Sequence, residues 1–188
     1  MPWVSPTNVA TGDVLTATKW NNEVVANSVA LRGDFGLFRR TAGNITLTGT
    51  TTWSDLTTIG TGGDITLAAS TGDVIEVALN ALIGSENVTM GFDVVTVVGS
   101  TKTNSISTGG AVPANFAAFT AAGWYRQGNA LGGLSGSLFY VLQSGDISNS
   151  TVKLRVQYAM VAATNRTLYA SSDTPFVFYA RNHGPVEI

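Results

Sequence analysis

The chain contains no cysteine, a single histidine (His183) and few charges: Asp, Glu, Lys and Arg make up 12% of its 188 residues. Without cysteine there are no disulfides and no thiolate metal sites, although the compartment stays open. One histidine leaves zinc without its usual nitrogen and sulfur ligands, so no metal and no other cofactor is expected. Soluble domains average about 25% charge, and here Thr, Ser, Asn and Gly stand in its place. A net charge of −2 and a pI near 5.2 supply no basic field, so no nucleic-acid partner is expected. No apolar run is long enough to span a bilayer, and no membrane partner is expected either. A basic segment followed by an apolar core is missing from the N-terminus, so no secretory signal is expected.

Catalytic signatures are also scarce. A Ser-His-Asp site would have to use His183, but no Gly-x-Ser-x-Gly elbow accompanies it. His183 is therefore read as a surface or interface residue. Gly132-Gly133-Leu134-Ser135-Gly136 is not followed by Gly-Lys-Ser/Thr, so it reads as a flexible connection rather than a phosphate loop. Asp73 and Glu76 are three apart in a strand pattern, which puts them on opposite faces and prevents direct cooperation. Asp64, Asp93, Asp146 and Asp173 are scattered. The chain is expected not to be an enzyme.

What is present divides into two parts. Residues 1–40 form a candidate docking arm, and residues 41–188 a β-domain. In the arm, Pro2 and Pro6 favour extended backbone. Thr16 is a candidate N-cap for a short α-helix running through Leu31, with Gly33 as its stop. Ala17, Trp20, Val24, Ser28 and Leu31 recur at helical spacing, opposite Lys19, Asn22, Glu23 and Asn27. Such a helix is marginal alone and needs a surface to cover its stripe, either on its own β-domain or on another chain. Trp3, Trp20, Val24, Leu31, Phe35 and Phe38 supply the apolar material for a partner contact. Arg39 and Arg40 are either a solvated junction or a contact to an acidic partner.

In the β-domain, period-two alternation marks strands near residues 44–48, 64–67, 73–79, 88–98, 137–143, 151–160, 166–170 and 175–181. The clearest is 151–160, where Val152, Leu154, Val156 and Tyr158 alternate with Lys153, Arg155 and Gln157, leaving one face wet. Gly63-Asp64, Gly72-Asp73 and Gly145-Asp146 read as turns in which the aspartate caps backbone amides. Short strands separated by turns predict a mainly β chain, an antiparallel β-sandwich of the jelly-roll type. Residues 107–137, with Phe116, Phe119, Trp124 and Tyr125, fit strands poorly and read as a long loop region.

The stretch Gly12-Asp13-Val14-Leu15-Thr16-Ala17-Thr18-Lys19-Trp20-Asn21 resembles an N-terminal segment that recurs in tailed-bacteriophage virion proteins. Gly72–Val77 and Tyr140–Gln157 look like parts of small phage jelly rolls. The resemblance implies a structural virion protein and a homotrimer, either on the capsid surface (decoration, cement or head-fibre protein) or on the tail. With no long repetitive shaft between arm and head, the expectation is a capsid decoration protein on the outer capsid surface. Its partners would be the major capsid protein and its own copies. The alternative is a short tail fibre in which residues 107–137 present Trp124 and Tyr125 to a host glycan.

Overall fold

The computed structural model describes residue 16 and residues 34–56, 63–84, 89–116, 124–126, 132–162 and 164–185. The chain falls into two compact units, Met1–Asp34 and Phe35–Ile188. The expected helix up to Leu31 lies outside the described residues.

The second unit is built from antiparallel strands. In chain order they are β1 (Asp34–Arg40), β2 (Ile45–Leu47), β3 (Ser54–Asp55), β4 (Asp64–Ala68), β5 (Asp73–Ile83), β6 (Met90–Val98) and β7 (Thr101–Ser105). There follow β8 (Gly110–Ala111), β9 (Trp124–Arg126), β10 (Gly132–Val141), β11 (Ile147–Ser148), β12 (Thr151–Met160), β13 (Arg166–Tyr169) and β14 (Phe176–Pro185). The strands of five residues or more are β1, β4, β5, β6, β7, β10, β12 and β14. They form two sheets, β1-β14-β5-β10 and β4-β12-β6-β7. Numbered one to eight along the chain, these strands run 1-8-3-6 and 2-7-4-5. That interleaving of two Greek keys is the jelly-roll topology expected from the sequence.

Alternation decides which side chains fill the space between the sheets. In β5, Ile75, Val77, Leu79, Ala81 and Ile83 point inward and are buried. In β12 the inward set is Val152, Leu154, Val156, Tyr158 and Met160, and in β14 it is Phe176, Phe178 and Ala180. β6 is buried on both faces over most of its length, because Val95 and Val97 on its outer side are covered as well as Met90, Phe92 and Val94. The turn before β5 uses Gly72 at φ 91°, a left-handed backbone that only glycine adopts cheaply.

Three segments depart from the sequence reading. Within 107–137, read as a long loop, Gly110–Ala111 form β8 and Trp124–Arg126 form β9, which pairs with β6 at Gly91↔Tyr125 and Phe92↔Trp124. Residues 34–40 are not part of a free arm. They form β1, an edge strand hydrogen-bonded to β14. Gly36 faces Ile65 of the opposite sheet so closely that no Cβ would fit without displacing it, and Phe38 packs on Phe176 with ring centroids 6.3 Å apart. The boundary set at residue 40 therefore moves back to Asp34. The glycine-rich stretch from Gly132 is likewise not a flexible connection. It opens the ten-residue β10, paired in unbroken register with β5 from Gly132↔Ile83 to Val141↔Val74. β5 supplies the ladder, so the alternating side chains that announce a strand are not needed there.

Candidate functional site

The two sandwich faces that look outward differ in chemistry. Across the β4-β12-β6-β7 sheet, Arg155 of β12 donates Nε and Nη2 to Asp64 at 2.7 Å each and Nη1 to Asp55 at 2.9 Å. Lys153 reaches Asp64 at 2.8 Å, and Lys102 reaches Asp55 at 2.5 Å while donating to Gln157 at 2.9 Å. Burial is the largest single influence on the Asp64 carboxyl and acts upward, but Arg155 and Lys153 together outweigh it and hold the carboxyl below its usual range. The Arg155 guanidinium is pushed up, chiefly by its bond to Asp64. One guanidinium thus bridges two carboxylates in fork geometry. This corrects two sequence readings. The polar face of β12 is closed by ion pairs rather than simply wet, with Gln157 fully buried, and Asp64 pairs with Arg155 rather than capping a turn.

Asp93 lies on the same face, fully buried, and accepts from Gln157 Nε2 at 3.1 Å and the Ser107 amide at 3.3 Å. Burial pushes its carboxyl up, and hydrogen bonds from Ser107, Ser105 and Gln157 offset only part of that. A raised folded pKa means that the native state holds its proton longer than the unfolded chain does. Stability contributed here is complete below the unfolded pKa of about 4 and declines as pH rises through the folded value. Asp93→Asn should remove that decline, so that the variant gains on the wild type as pH rises from about 4 toward neutrality. Urea unfolding across that range checks it; a difference that stays flat with pH would remove Asp93 from the account.

Asp146 is the second buried carboxylate. It follows β10 in a short 3-10 turn and accepts from Thr96 Oγ1 (2.6 Å), Asn104 Nδ2 (2.8 Å), Thr103 Oγ1 (3.2 Å), Tyr140 Oη (3.0 Å) and the Gln143 amide (2.8 Å). It ties the end of one sheet to the other. Burial and the neighbouring carboxylate push the Tyr140 phenol up. Asp73 accepts from the Ser70 amide at 2.9 Å and from Asn182 Nδ2 at 2.7 Å. The amide-capping reading thus holds for Asp73 and Asp146. Asp73 points inward and Glu76 outward, so those two carboxylates stay on opposite faces. No group of three or more His, Asp or Glu that could hold a metal occurs among the described residues. No helix among them is long and apolar enough to cross a membrane.

The outer face of the β1-β14-β5-β10 sheet carries four large exposed apolar side chains among polar ones. Phe35 and Leu37 of β1 are 64% and 58% exposed, and Phe139 and Val141 of β10 are 63% and 50% exposed. Val74 and Ala78 of β5 and Val177 and Tyr179 of β14 lie between them. Glu76 and His183 form a hydrogen-bonded pair here at 2.9 Å, and Phe139 leans on the His183 ring at 5.9 Å. His183 is thus on the surface, as read from the sequence. Of the residues assigned to partner binding, Phe35 and Arg39 point outward on β1, while Phe38 and Arg40 point inward. Arg40 Nε donates to the Gly43 carbonyl at 2.7 Å. Trp3, Trp20, Val24 and Leu31 lie outside the described residues. Leu37, in the apolar run Phe35–Phe38, points outward with Phe35, whereas Phe139 and Val141 were not singled out by the sequence. The signal that could have found them is large apolar side chains on both phases of an alternating strand.

No known protein family matches the sequence, and no curated protein matches it. Among solved structures the chain is similar to Eiger TNF from S. frugiperda, at 7% identity over 82% of this chain and 96% of that one, with a TM-score of 0.43. It is also similar to a chain of the T13 IBDV viral particle, at 9% identity over 81% of this chain and 36% of that one, with a TM-score of 0.39. A chain of the infectious bursal disease virus Gx strain follows at 10% identity over 79% and 37%, with a TM-score of 0.31.

Proposed function

We propose that the chain is a structural virion protein of a tailed bacteriophage, a decoration or cement protein on the outer capsid surface. The observation that carries this reading is the phage-like segment Gly12–Asn21, which sits in a compact unit of its own ahead of the jelly roll. In this reading the first unit grips the major capsid protein, and the jelly rolls associate as homotrimers across neighbouring capsomers. A structural rather than catalytic role is supported by how most carboxylates of the sandwich are engaged. Asp55 and Asp64 share Arg155, Asp73 and Asp146 accept from backbone amides, and Glu76 pairs with His183. Carboxylates held this way are poor general acids or bases.

Location on the particle tests the proposal. Immunogold labelling and quantitative protein analysis of purified particles should place the chain over the capsid, at a copy number similar to that of the shell protein. A few copies confined to the tail would overturn the capsid role in favour of a short tail fibre.

A further inference from the structure

The outer face of the β1-β14-β5-β10 sheet carries both halves of a contact. The knob is Phe139, which projects from β10 opposite Glu76 and is 63% exposed. The hollow lies next to it along the same strand. There Ser135 and Ser137 of β10 stand opposite Asn80 and Ala78 of β5, and Val177 of β14 closes the far side opposite Asn80. These small side chains leave an open depression of about 360 Å³. The depression is shallow and open, and it is wide enough for a phenyl ring to lie against Ala78, Ser135 and Ser137. We propose that this face is a self-association surface, in which Phe139 of one copy seats in the Ala78-Ser135-Ser137 hollow of another.

Three features favour a second copy over a foreign partner. First, knob and hollow occur on one chain, two residues apart on one strand, so no second protein is needed to supply either. A contact in which each copy offers both is the ordinary condition for a closed symmetric assembly. Second, the face carries few charges, and both signs are present. Glu76 is the one carboxylate on the outer side of the four strands among the described residues, and His183 already pairs with it. Arg39 of β1 and Arg181 of β14, the latter opposite Glu76, also lie on the outer side, so opposite charges are available on each copy and neither sign forms a run. The other sheet instead presents Asp55, Asp64, Lys102, Lys153 and Arg155. Third, the size suits an interface. Four strands about 4.8 Å apart and roughly eight residues long give about 500 Å² in plan. With side-chain relief this approaches the ~800 Å² that each partner of a standard interface buries. Exposed apolar patches of this extent are characteristic of contact surfaces, and residues at the centre of the patch carry most of the binding energy.

The proposal deepens the reading above by naming the surface through which copies would meet, and its test is separate from the particle-location test. Sedimentation velocity on the full chain should give a mass that is a multiple of 19.6 kDa. Phe139→Asp removes the knob and Ala78→Trp fills the hollow; each should bring the mass down to 19.6 kDa. Far-UV circular dichroism should stay unchanged in both, because both positions face outward. Thr66→Asp, on the outer face of the charged sheet, should leave the multiple intact. If one substitution unfolds the chain, the other decides. A wild-type monomer overturns the proposal. So does an oligomer whose mass survives both substitutions, as it would if a foreign protein or the chain's own first unit covered this face. The surviving oligomer would leave the virion reading standing, since that reading depends on where the protein sits.

Discussion

Replacing Asp146 with alanine is expected to cost about 3–5 kcal/mol, because buried donors from separate segments would be left without their common acceptor. The carboxylate is fully buried and collects hydrogen bonds from Thr96, Thr103, Asn104, Tyr140 and the Gln143 amide. Every one of its partners is a donor. An acceptor-only group suits that cluster, whereas Asp146→Asn would turn an NH2 toward it and recover little. Burial is the largest single influence on its pKa and acts upward, yet the bonds from Thr96, Asn104, the Gln143 amide and Tyr140 together carry the carboxyl below its usual range. A depressed folded pKa gives stability that is complete above the unfolded value of about 4 and is lost as pH falls through the folded value. Asp146 thus defends the fold at neutral pH, opposite in sign to Asp93. Urea unfolding at neutral pH and in acid should show Asp146→Ala weak in both and less sensitive to acid than the wild type. A loss below about 1 kcal/mol at neutral pH would show that water replaces the carboxylate cheaply.

The second large effect is expected from Phe178→Ala in β14. Phe178 is fully buried opposite Leu79 of β5, on a strand flanked on both sides. Removing the ring loses its transfer free energy and leaves a cavity between two sheets that share one core, about 3–5 kcal/mol in all. In a chain of this size that lowers Tm by about 10 °C. Phe178→Leu keeps most of the volume and should cost about 1 kcal/mol. Thermal unfolding followed by circular dichroism separates the two. Equal losses would mean that ring shape, rather than filled volume, matters at this position.

Much of the sandwich is legible in the sequence because its strands are half-buried. Val152, Leu154 and Val156 alternate with Lys153, Arg155 and Gln157, and Ile75, Val77 and Leu79 alternate with Glu76 and Ala78. Period two is the physical signature of a sheet with one side in a core. β1 and the start of β10 escape that signal for different reasons. Phe35, Leu37 and Phe38 place apolar side chains on both phases of a strand, so they read as loose apolar material. Gly132, Gly133 and Gly136 offer no side chain to alternate, and only pairing with β5 makes them a strand. The Asp146 cluster was visible only as a Gly-Asp turn. Its partners Thr96, Asn104 and Tyr140 come from β6, β7 and β10, and no spacing along the chain foretells their meeting. The hollow beside Phe139 is hidden for the same reason, since its lining comes from three strands.

The pairing of β1 with β14 has a consequence for how the chain is made. These neighbours come from opposite ends of the second unit, residues 34–40 and 176–185. During synthesis, at roughly 5–20 residues per second, one flank of β5 waits for the last long strand to leave the ribosome. Until then β1 has no neighbour in its sheet, and hydrophobic strand edges lie open to other nascent chains. A topology so dominated by distant pairings folds slowly for its size. Temperature during expression should therefore govern the yield of soluble protein more strongly than the stability of the finished domain would suggest.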